Sequence, residues 1–454
     1  MDNGGKGFGL LFEMGCGKSL TAIAIMGALF EQGLIRRVLV ACPGSIVAVW
    51  ESELAKFAAF PYRFSALLGT KAKRLRKLDD LCSERRDETR TALRVAAINY
   101  ESTFRDGMFD ALWQYGADLI ICDESQRIKN PKAQQTLAMQ KLAEKAKYRL
   151  ALTGTPIQQD AQDVFAQYKF LDNSVFGDNF YAFRARYCKL GGFGGKQVVG
   201  IKNEDELSRK MYSVAYRVTK AECLDLPPET FVTRTVELSP VERKHYDELR
   251  IASVTELSQE AKVEATSVLT KLLRLQQAAG GFLKADDSER VTQIGSSKLD
   301  ALSDIVEDYV LGEGRKLVIF ARFLPEVAAI GELLRSKGIR YGRITGDVPL
   351  QERGEIVEDF QTKPETMCFV AQLQTAGLGI TLHAASTAVF YSVGYNLADY
   401  QQALARIHRK GQTQPCTYIL LQAERTVDQK IMEALDKKSD IARRIVDDWQ
   451  SYFT

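Results

Sequence analysis

Residues 7–32 read GFGLLFEMGCGKSLTAIAIMGALFEQ, and this stretch constrains the fold more than any other. The short apolar run from Phe8 to Phe12 enters the turn Gly15-Cys16-Gly17-Lys18-Ser19, and a nearly all-apolar helix leaves it. Strand, glycine-broken turn and helix in that order make a phosphate-binding loop. Glycines at 15 and 17 can take backbone angles closed to other residues. Successive N–H groups can then point inward, at the positive end of the next helix, and cradle phosphate oxygens. Lys18 would reach the outer phosphates, and the Ser19 hydroxyl would hold magnesium. The full pattern G-x-x-x-x-G-K-[ST] wants glycine where this chain has Phe12. On these residues alone, a glycine-rich strand-to-helix turn with an incidental lysine stays open.

A chain of 454 residues is long enough for two or three domains, each with its own core. Its 61 basic and 58 acidic side chains leave a net charge of +3, which neither demands nor excludes a polyanionic partner. The eight cysteines form no C-x-x-C pair and only three histidines exist, which argues against structural zinc and for free thiols in a reducing compartment. No apolar run approaches the roughly 20 residues needed to cross a bilayer, and no secretory signal pattern is present. The expectation is a soluble, intracellular protein without a membrane segment.

After Gly33 the run Val38 to Cys42 closes at Pro43-Gly44-Ser45 and is followed by a helical pattern from Ile46 to Phe57. Further apolar runs at Val95 to Ile98, Leu119 to Cys122 and Arg149 to Leu152 each end in polar residues, as strands of a doubly wound parallel sheet do. The run ending at Cys122 delivers Asp123-Glu124 to that edge. There Asp123 can hold magnesium through water and Glu124 can polarise the water that attacks a γ-phosphate. An acidic pair at a strand end is also common as solvated surface.

From Asp160 to about Ser297 the strand signal fades and the pattern turns helical, with an aromatic series from Phe165 to Tyr187 that reads as core. Gly191 to Lys196 reads as a hairpin or loop tip, and Thr230 to Leu238 alternates like a strand. A second βα series begins at Lys316 and continues through about Leu421 without another phosphate loop. Its distinctive string is Gln402-Ala-Leu-Ala-Arg-Ile-His-Arg-Lys-Gly-Gln412. Read as a helix, it places Arg406 and Arg409 three apart on one face, where they could neutralise phosphate charge or touch DNA phosphates.

These residues carry a resemblance. Glu13 to Ser19, Asp123 to Asn130 and Leu152 to Gln158 look like motifs I, II and III of the superfamily 2 helicases, in the SWI/SNF-type branch of DNA translocases. Ala376 to Leu382 resembles motif V, and Gln402 to Gln412 resembles motif VI apart from Ala405 for glycine. Ser45 through Trp50 matches motif Ia, and Tyr100 lies in the region of motif Ib. Departures are Phe12 for Asp, Ser19 for Thr, and Gln126 where the family has His, the residue thought to link hydrolysis to motif III. The family's upstream adenine-reading Gln motif has no counterpart here, so the adenine has no assigned partner.

The resemblance implies two tandem RecA-like P-loop NTPase lobes, α/β with parallel sheets flanked by helices and helical insertions between them. The first lobe would be residues 1–225, with a helical insertion from about 160. A helical protrusion and linker would follow at 226–296, and a second lobe with a C-terminal brace helix at 297–454. ATP would lie on Met14, Gly15, Cys16, Gly17, Lys18, Ser19 and Gly379, with Mg2+ on Ser19 and Asp123. Glu124 would be the catalytic base, Gln126 the coupling residue, and Arg406 and Arg409 the arginines that neutralise the γ-phosphate. Duplex DNA would be held mainly through its phosphates, along Pro43, Ser45, Trp50, Tyr100 and Thr375, by a monomer. The implied activity is DNA-dependent ATP hydrolysis driving translocation, in a bare motor of bacterial or viral type in cytoplasm or nucleoid. The alternatives are a strand-separating DNA or RNA helicase, which the long inter-lobe insertion speaks against, and an inactive nucleic-acid-binding platform.

Overall fold

The computed structural model describes residues 7–83, 92–191, 197–259, 265–284, 291–378 and 380–446. The chain divides into two compact units: one runs to Asp225 and takes the chain back from Lys438, and the other runs from Leu226 to Lys437.

The first unit is built on strands β1 (Gly7–Phe12), β2 (Arg37–Cys42), β3 (Tyr62–Ala66), β4 (Leu93–Asn99), β5 (Leu119–Asp123) and β6 (Tyr148–Leu152). After a hairpin of β7 (Cys188–Gly191) and β8 (Gln197–Ile201) comes β9 (Ala215–Val218). All but the hairpin form one parallel seven-stranded sheet in the order β3-β4-β2-β5-β6-β1-β9. The central strands are buried along their length because helices cover both faces, which is why they read as unbroken apolar runs rather than alternating ones. Leu10, Ile23, Met26, Val38, Val40, Trp50, Leu119 and Ile121 fill one face, and Leu39, Ile98, Tyr100, Leu112, Ile120 and Met139 fill the other. The helical pattern expected from Ile46 begins later. A single 3-10 turn, Gly44–Ile46, comes first and the α-helix is Val49–Phe57.

Strand signal does not fade across the middle as expected, because β9 runs parallel to β1 with Phe12 opposite Val218. The aromatic series does pack as core: Phe165, Tyr168, Phe183 and Tyr187 are buried together with Phe176 and Phe180 against them. Tyr181 is the exception, exposed on its helix. The glycine-dense run begins with Gly191 at the end of β7, and its residues 192–196, expected as a hairpin or loop tip, fall outside the described ones.

The second unit has β10 (Glu229–Val236), a small antiparallel pair β11 (Phe282–Lys284) and β12 (Val291–Gln293), and β13 (Leu317–Ala321), β14 (Arg340–Ile344), β15 (Thr366–Gln372), β16 (Thr387–Phe390) and β17 (Cys416–Ala423). Six of these make a parallel sheet in the order β10-β17-β16-β13-β15-β14. The segment 226–296, expected as a helical protrusion and linker, contributes β10 to this sheet in full register with β17. It also sends Tyr246, Leu275, Ala278 and Ala279 into the unit's core. It therefore folds as part of the second unit. At the start of the next helix, Lys298 is buried and pairs with Asp428 at 2.5 Å while donating to the Tyr391 carbonyl at 3.0 Å. No helix among the described residues is long and apolar enough to cross a membrane.

Candidate active site

The phosphate loop leaves the C-terminal end of β1. Gly15 and Gly17 have φ of 91° and 83°, the left-handed region that a side chain would strain. Gly17 starts the helix Lys18–Glu31, whose N-terminus has no side-chain cap and no acidic residue in its first turn. Its positive end is left uncompensated by the protein, which suits an anion. The Lys18 ammonium folds back across the loop, donating to the carbonyls of Phe12 at 3.0 Å and Glu13 at 3.3 Å. Met14, Cys16 and Ser19 are half-buried in the same loop. Phe12, the departure from the glycine pattern, is a core residue 7% exposed. Its side chain packs into the sheet, so the loop turns without needing glycine there.

Asp123 ends β5 and is 7% exposed. The Trp50 indole N–H donates to one carboxylate oxygen at 3.2 Å and the Glu124 backbone N–H to the other at 2.9 Å. The Tyr100 hydroxyl donates to the Asp123 carbonyl at 2.8 Å. Burial, helped by the neighbouring Glu124 charge, pushes the Asp123 carboxyl up to about 7, while Lys18 and the two N–H donors act in the other direction. Trp50 and Tyr100, expected along a DNA strand, are 2% and 0% exposed. Their place is corrected accordingly: both are core aromatics whose single polar atom finds its partner on Asp123, the usual requirement for a buried Trp or Tyr. Pro43 and Ser45, in the turn that ends β2, are half-buried and lie at the same sheet edge, since β2 pairs with β5.

Glu124 has φ of 50°, a strained conformation for a non-glycine residue. Its carboxylate accepts from the Gln126 amide N–H at 2.5 Å, and the Gln126 carbonyl accepts from the Thr153 hydroxyl at 2.7 Å. An amide can hold both ends of such a bridge because it donates and accepts at once. Thr153 follows β6, which lies between β5 and β1 in the sheet, and its N–H donates to the Leu10 carbonyl at 3.1 Å. At Gly154 a Cβ would sit 3.1 Å from the Phe12 carbonyl, so the backbone passes the loop where a side chain would crowd it. A continuous chain of contacts thus joins Glu124 to Thr153 beside the phosphate loop.

Sequence reasoning missed the brace behind this site. Arg217, on β9 and 4% exposed, donates to the carbonyls of Leu11 at 2.9 Å and Gly154 at 3.1 Å and pairs with Glu13 at 3.0 Å. Asp163 accepts from the backbone N–H groups of Gln158 and Gln159, both at 2.8 Å, and pairs with Lys129 at 3.3 Å. A lone arginine in a four-residue strand gives no local signal, whereas Lys129 was already visible as part of motif II.

In the second unit the expected helical face for Arg406 and Arg409 is not what forms. The helix Leu397–Leu404 ends before them, and both lie in turns that Gln412 organises. The Gln412 amide donates to the carbonyls of His383, Ala385 and Ile407 and accepts from the N–H groups of Thr413 and Gln414. With its amide so used, the chain turns rather than continuing as helix. Arg406 is 2% exposed, and Arg406 and Arg409 both donate to the Ile380 carbonyl, at 3.4 and 3.2 Å. Their guanidinium groups are brought together on motif V by sharing that one backbone carbonyl. Thr375, expected to face DNA, is 7% exposed and its hydroxyl donates to the Gln372 carbonyl at 2.6 Å, so it caps a turn instead. Gly379 lies outside the described residues. His408 accepts a structural role, bonded to the Pro227 carbonyl at 2.8 Å and beside Glu229 at 3.0 Å.

Comparison with known proteins places these features in a family. The model of the SNF2-related domain matches residues 3–280, and that of the helicase conserved C-terminal domain matches 297–411. Among curated proteins, the chromatin remodeling factor mit1 of Schizosaccharomyces pombe is 25% identical over 96% of this chain and 31% of its own length. A RAD54-like DNA repair and recombination protein of Drosophila persimilis is 25% identical over 97% of this chain and 60% of its own. The chain thus spans about a third to three-fifths of these relatives. A solved Sulfolobus solfataricus SWI2/SNF2 ATPase core in complex with dsDNA is 24% identical, covering 97% of this chain and 93% of that one, with a TM-score of 0.42. With a matched domain model over more than half of its residues, the chain belongs to the SNF2-related family of helicase-like ATPases.

Proposed function

We propose that the chain is a DNA-dependent ATPase that tracks along duplex DNA. The observation that carries the hydrolytic part is the bridge Glu124–Gln126–Thr153, which holds a strained carboxylate beside the phosphate loop. Gly15, Gly17 and Lys18 cradle the phosphates of ATP. Ser19 and the buried Asp123 suit magnesium, which when bound neutralises phosphate charge. Glu124 orients the attacking water and takes its proton. Arg406 and Arg409 offset the charge that builds on the transferred phosphoryl group, an effect of about 10³ to 10⁵ in rate for arginine fingers.

Duplex DNA is the polymer the family relationship favours. Phosphate contacts would make binding insensitive to sequence and sensitive to salt. The chain works as a monomer in this reading. The test is steady-state ATP hydrolysis with no nucleic acid, single-stranded DNA, duplex DNA and RNA, beside Glu124→Gln as a blank. Stimulation by duplex alone, lost in the blank and weakened by salt, is the expected result. Equal stimulation by single strands means a strand-separating helicase, and activity no higher than the blank means a binding platform.

A further inference from the structure

Two cysteines far apart in the sequence are brought close together beside the phosphate loop. Because β9 runs parallel to β1, the Glu13 N–H donates to the Val218 carbonyl at 2.9 Å just where the loop begins. The chain then turns into the short helix Lys220–Cys223, closed by a capping box of Thr219 and Glu222. The Glu13 carboxylate fixes that turn by accepting from the Lys220 N–H at 2.7 Å. The far end of the turn returns to the loop as well, since a Cβ on Gly15 would lie 3.7 Å from a methyl carbon of Leu224. Cys16 follows Gly15 and Cys223 precedes Leu224, so the two cysteines flank that contact and each thiol bears on the other. All eight cysteines are among the described residues. Cys223 alone is exposed, Cys16 and Cys82 are half-buried, and the other five are buried.

We propose that Cys16 and Cys223 form a redox pair, which a peroxide converts to a disulfide that ties the phosphate loop to the helix Lys220–Cys223 and stops ATP turnover. The loss of turnover rests on the ATPase reading above; the disulfide itself does not. Exposure sets the order of events. The Cys223 thiolate attacks the peroxide O–O bond, giving Cys223 sulfenic acid and releasing hydroxide, which takes up the thiol proton to leave as water. The Cys16 sulfur then attacks the Cys223 sulfur; the S–S bond forms, the S–O bond breaks, and a second water leaves. Two thiols lose two electrons and one hydrogen peroxide gains them. Burial, and then the neighbouring Cys223, push the Cys16 thiol up to about 12, so Cys16 resolves the sulfenic acid slowly and faster as pH rises. A disulfide needs its sulfurs about 2.05 Å apart, so closing it draws Cys16 toward the helix. Cys16 lies between Gly15 and Gly17, whose backbone forms the cradle, and a shift of about 1 Å in such a positioning group costs on the order of 10² in rate.

The experiment uses the whole chain, freed of reductant and titrated with hydrogen peroxide. Non-reducing peptide mass spectrometry and ATP hydrolysis are followed before and after dithiothreitol. The expected result is one linked peptide joining Cys16 to Cys223, a loss of turnover of about 10²-fold that dithiothreitol reverses, and a Cys223→Ser variant that keeps both activity and resistance. Inactivation of Cys223→Ser at the wild-type rate overturns the proposal. So does Cys223 linked only between two chains, or an intact Cys16–Cys223 link with turnover unchanged. Should the untreated chain hydrolyse no ATP, the linked peptide is still read by mass, so failure of the ATPase reading is seen apart from failure of the pair.

Discussion

Replacing Trp50 with phenylalanine removes one hydrogen bond from the Asp123 carboxylate and keeps most of the ring's volume. The indole N–H donates to that carboxylate at 3.2 Å, with both residues buried. A hydrogen bond to a charged group is worth about 1.5 to 3 kcal/mol, and about 1.4 kcal/mol corresponds to one pH unit of titration. Losing a donor to the ionised form favours the proton. The carboxyl already titrates at about 7 because of burial, and a bond as long as 3.2 Å takes the low end of that range, so the acid limb of the kcat/KM profile for ATP should move up by about one pH unit. For a single titration this means roughly a fivefold loss at pH 7, nearly tenfold at pH 6, and convergence with the wild type above about pH 9. The assay is ATP hydrolysis from pH 6 to 9 at saturating duplex DNA. An equal loss at every pH would refute the link to Asp123. A change only in the DNA concentration for half-maximal stimulation would put Trp50 on the strand after all.

Three further outcomes follow from the same geometry. In the magnesium-free chain the Asp123 carboxyl holds its proton more tightly folded than unfolded, so its contribution to stability is full below about pH 4 and is lost as pH rises through about 7. Asp123→Asn removes this loss, and its melting temperature should exceed the wild type's by about 4 to 8 °C more at pH 8.5 than at pH 5.5; a constant gap counts against the raised carboxyl. Gln126→Ala breaks the bridge to both Glu124 and Thr153, and stimulation by duplex DNA should fall about 10- to 100-fold with DNA binding unchanged. Gln126→His should retain most of it, and parallel hydrolysis and DNA-binding assays decide. Lys298→Met leaves Asp428 buried without its cation and should cost about 3 to 5 kcal/mol in denaturant unfolding, with much of it recovered in Lys298→Met with Asp428→Leu.

What could be read from the residues was whatever is local. The turn at Gly15 and Gly17, the strand end at Asp123-Glu124 and most central strands are set by composition within a few positions, because a strand buried on both faces has to be apolar along its length. The bridge through Gln126 was legible as chemistry, since an amide in that place can only join two polar groups, but its second partner, Thr153, comes from a different strand. What failed was anything decided by sheet order. Ala215–Val218 is four residues long at a sheet edge and has one face exposed, so its pattern is too short to separate from loop. Yet that strand brings Arg217 under the loop and the turn that carries Cys223 up to Gly15, next to Cys16. Trp50 and Tyr100 were set along DNA by their motif positions alone. A buried ring with one donor needs a partner inside, and here that partner is Asp123, through its carboxylate for Trp50 and its backbone carbonyl for Tyr100. The aromatics that frame Asp123 and the edge strand that frames Gly15 are therefore parts of the site, although neither faces the nucleotide loop as a ligand would.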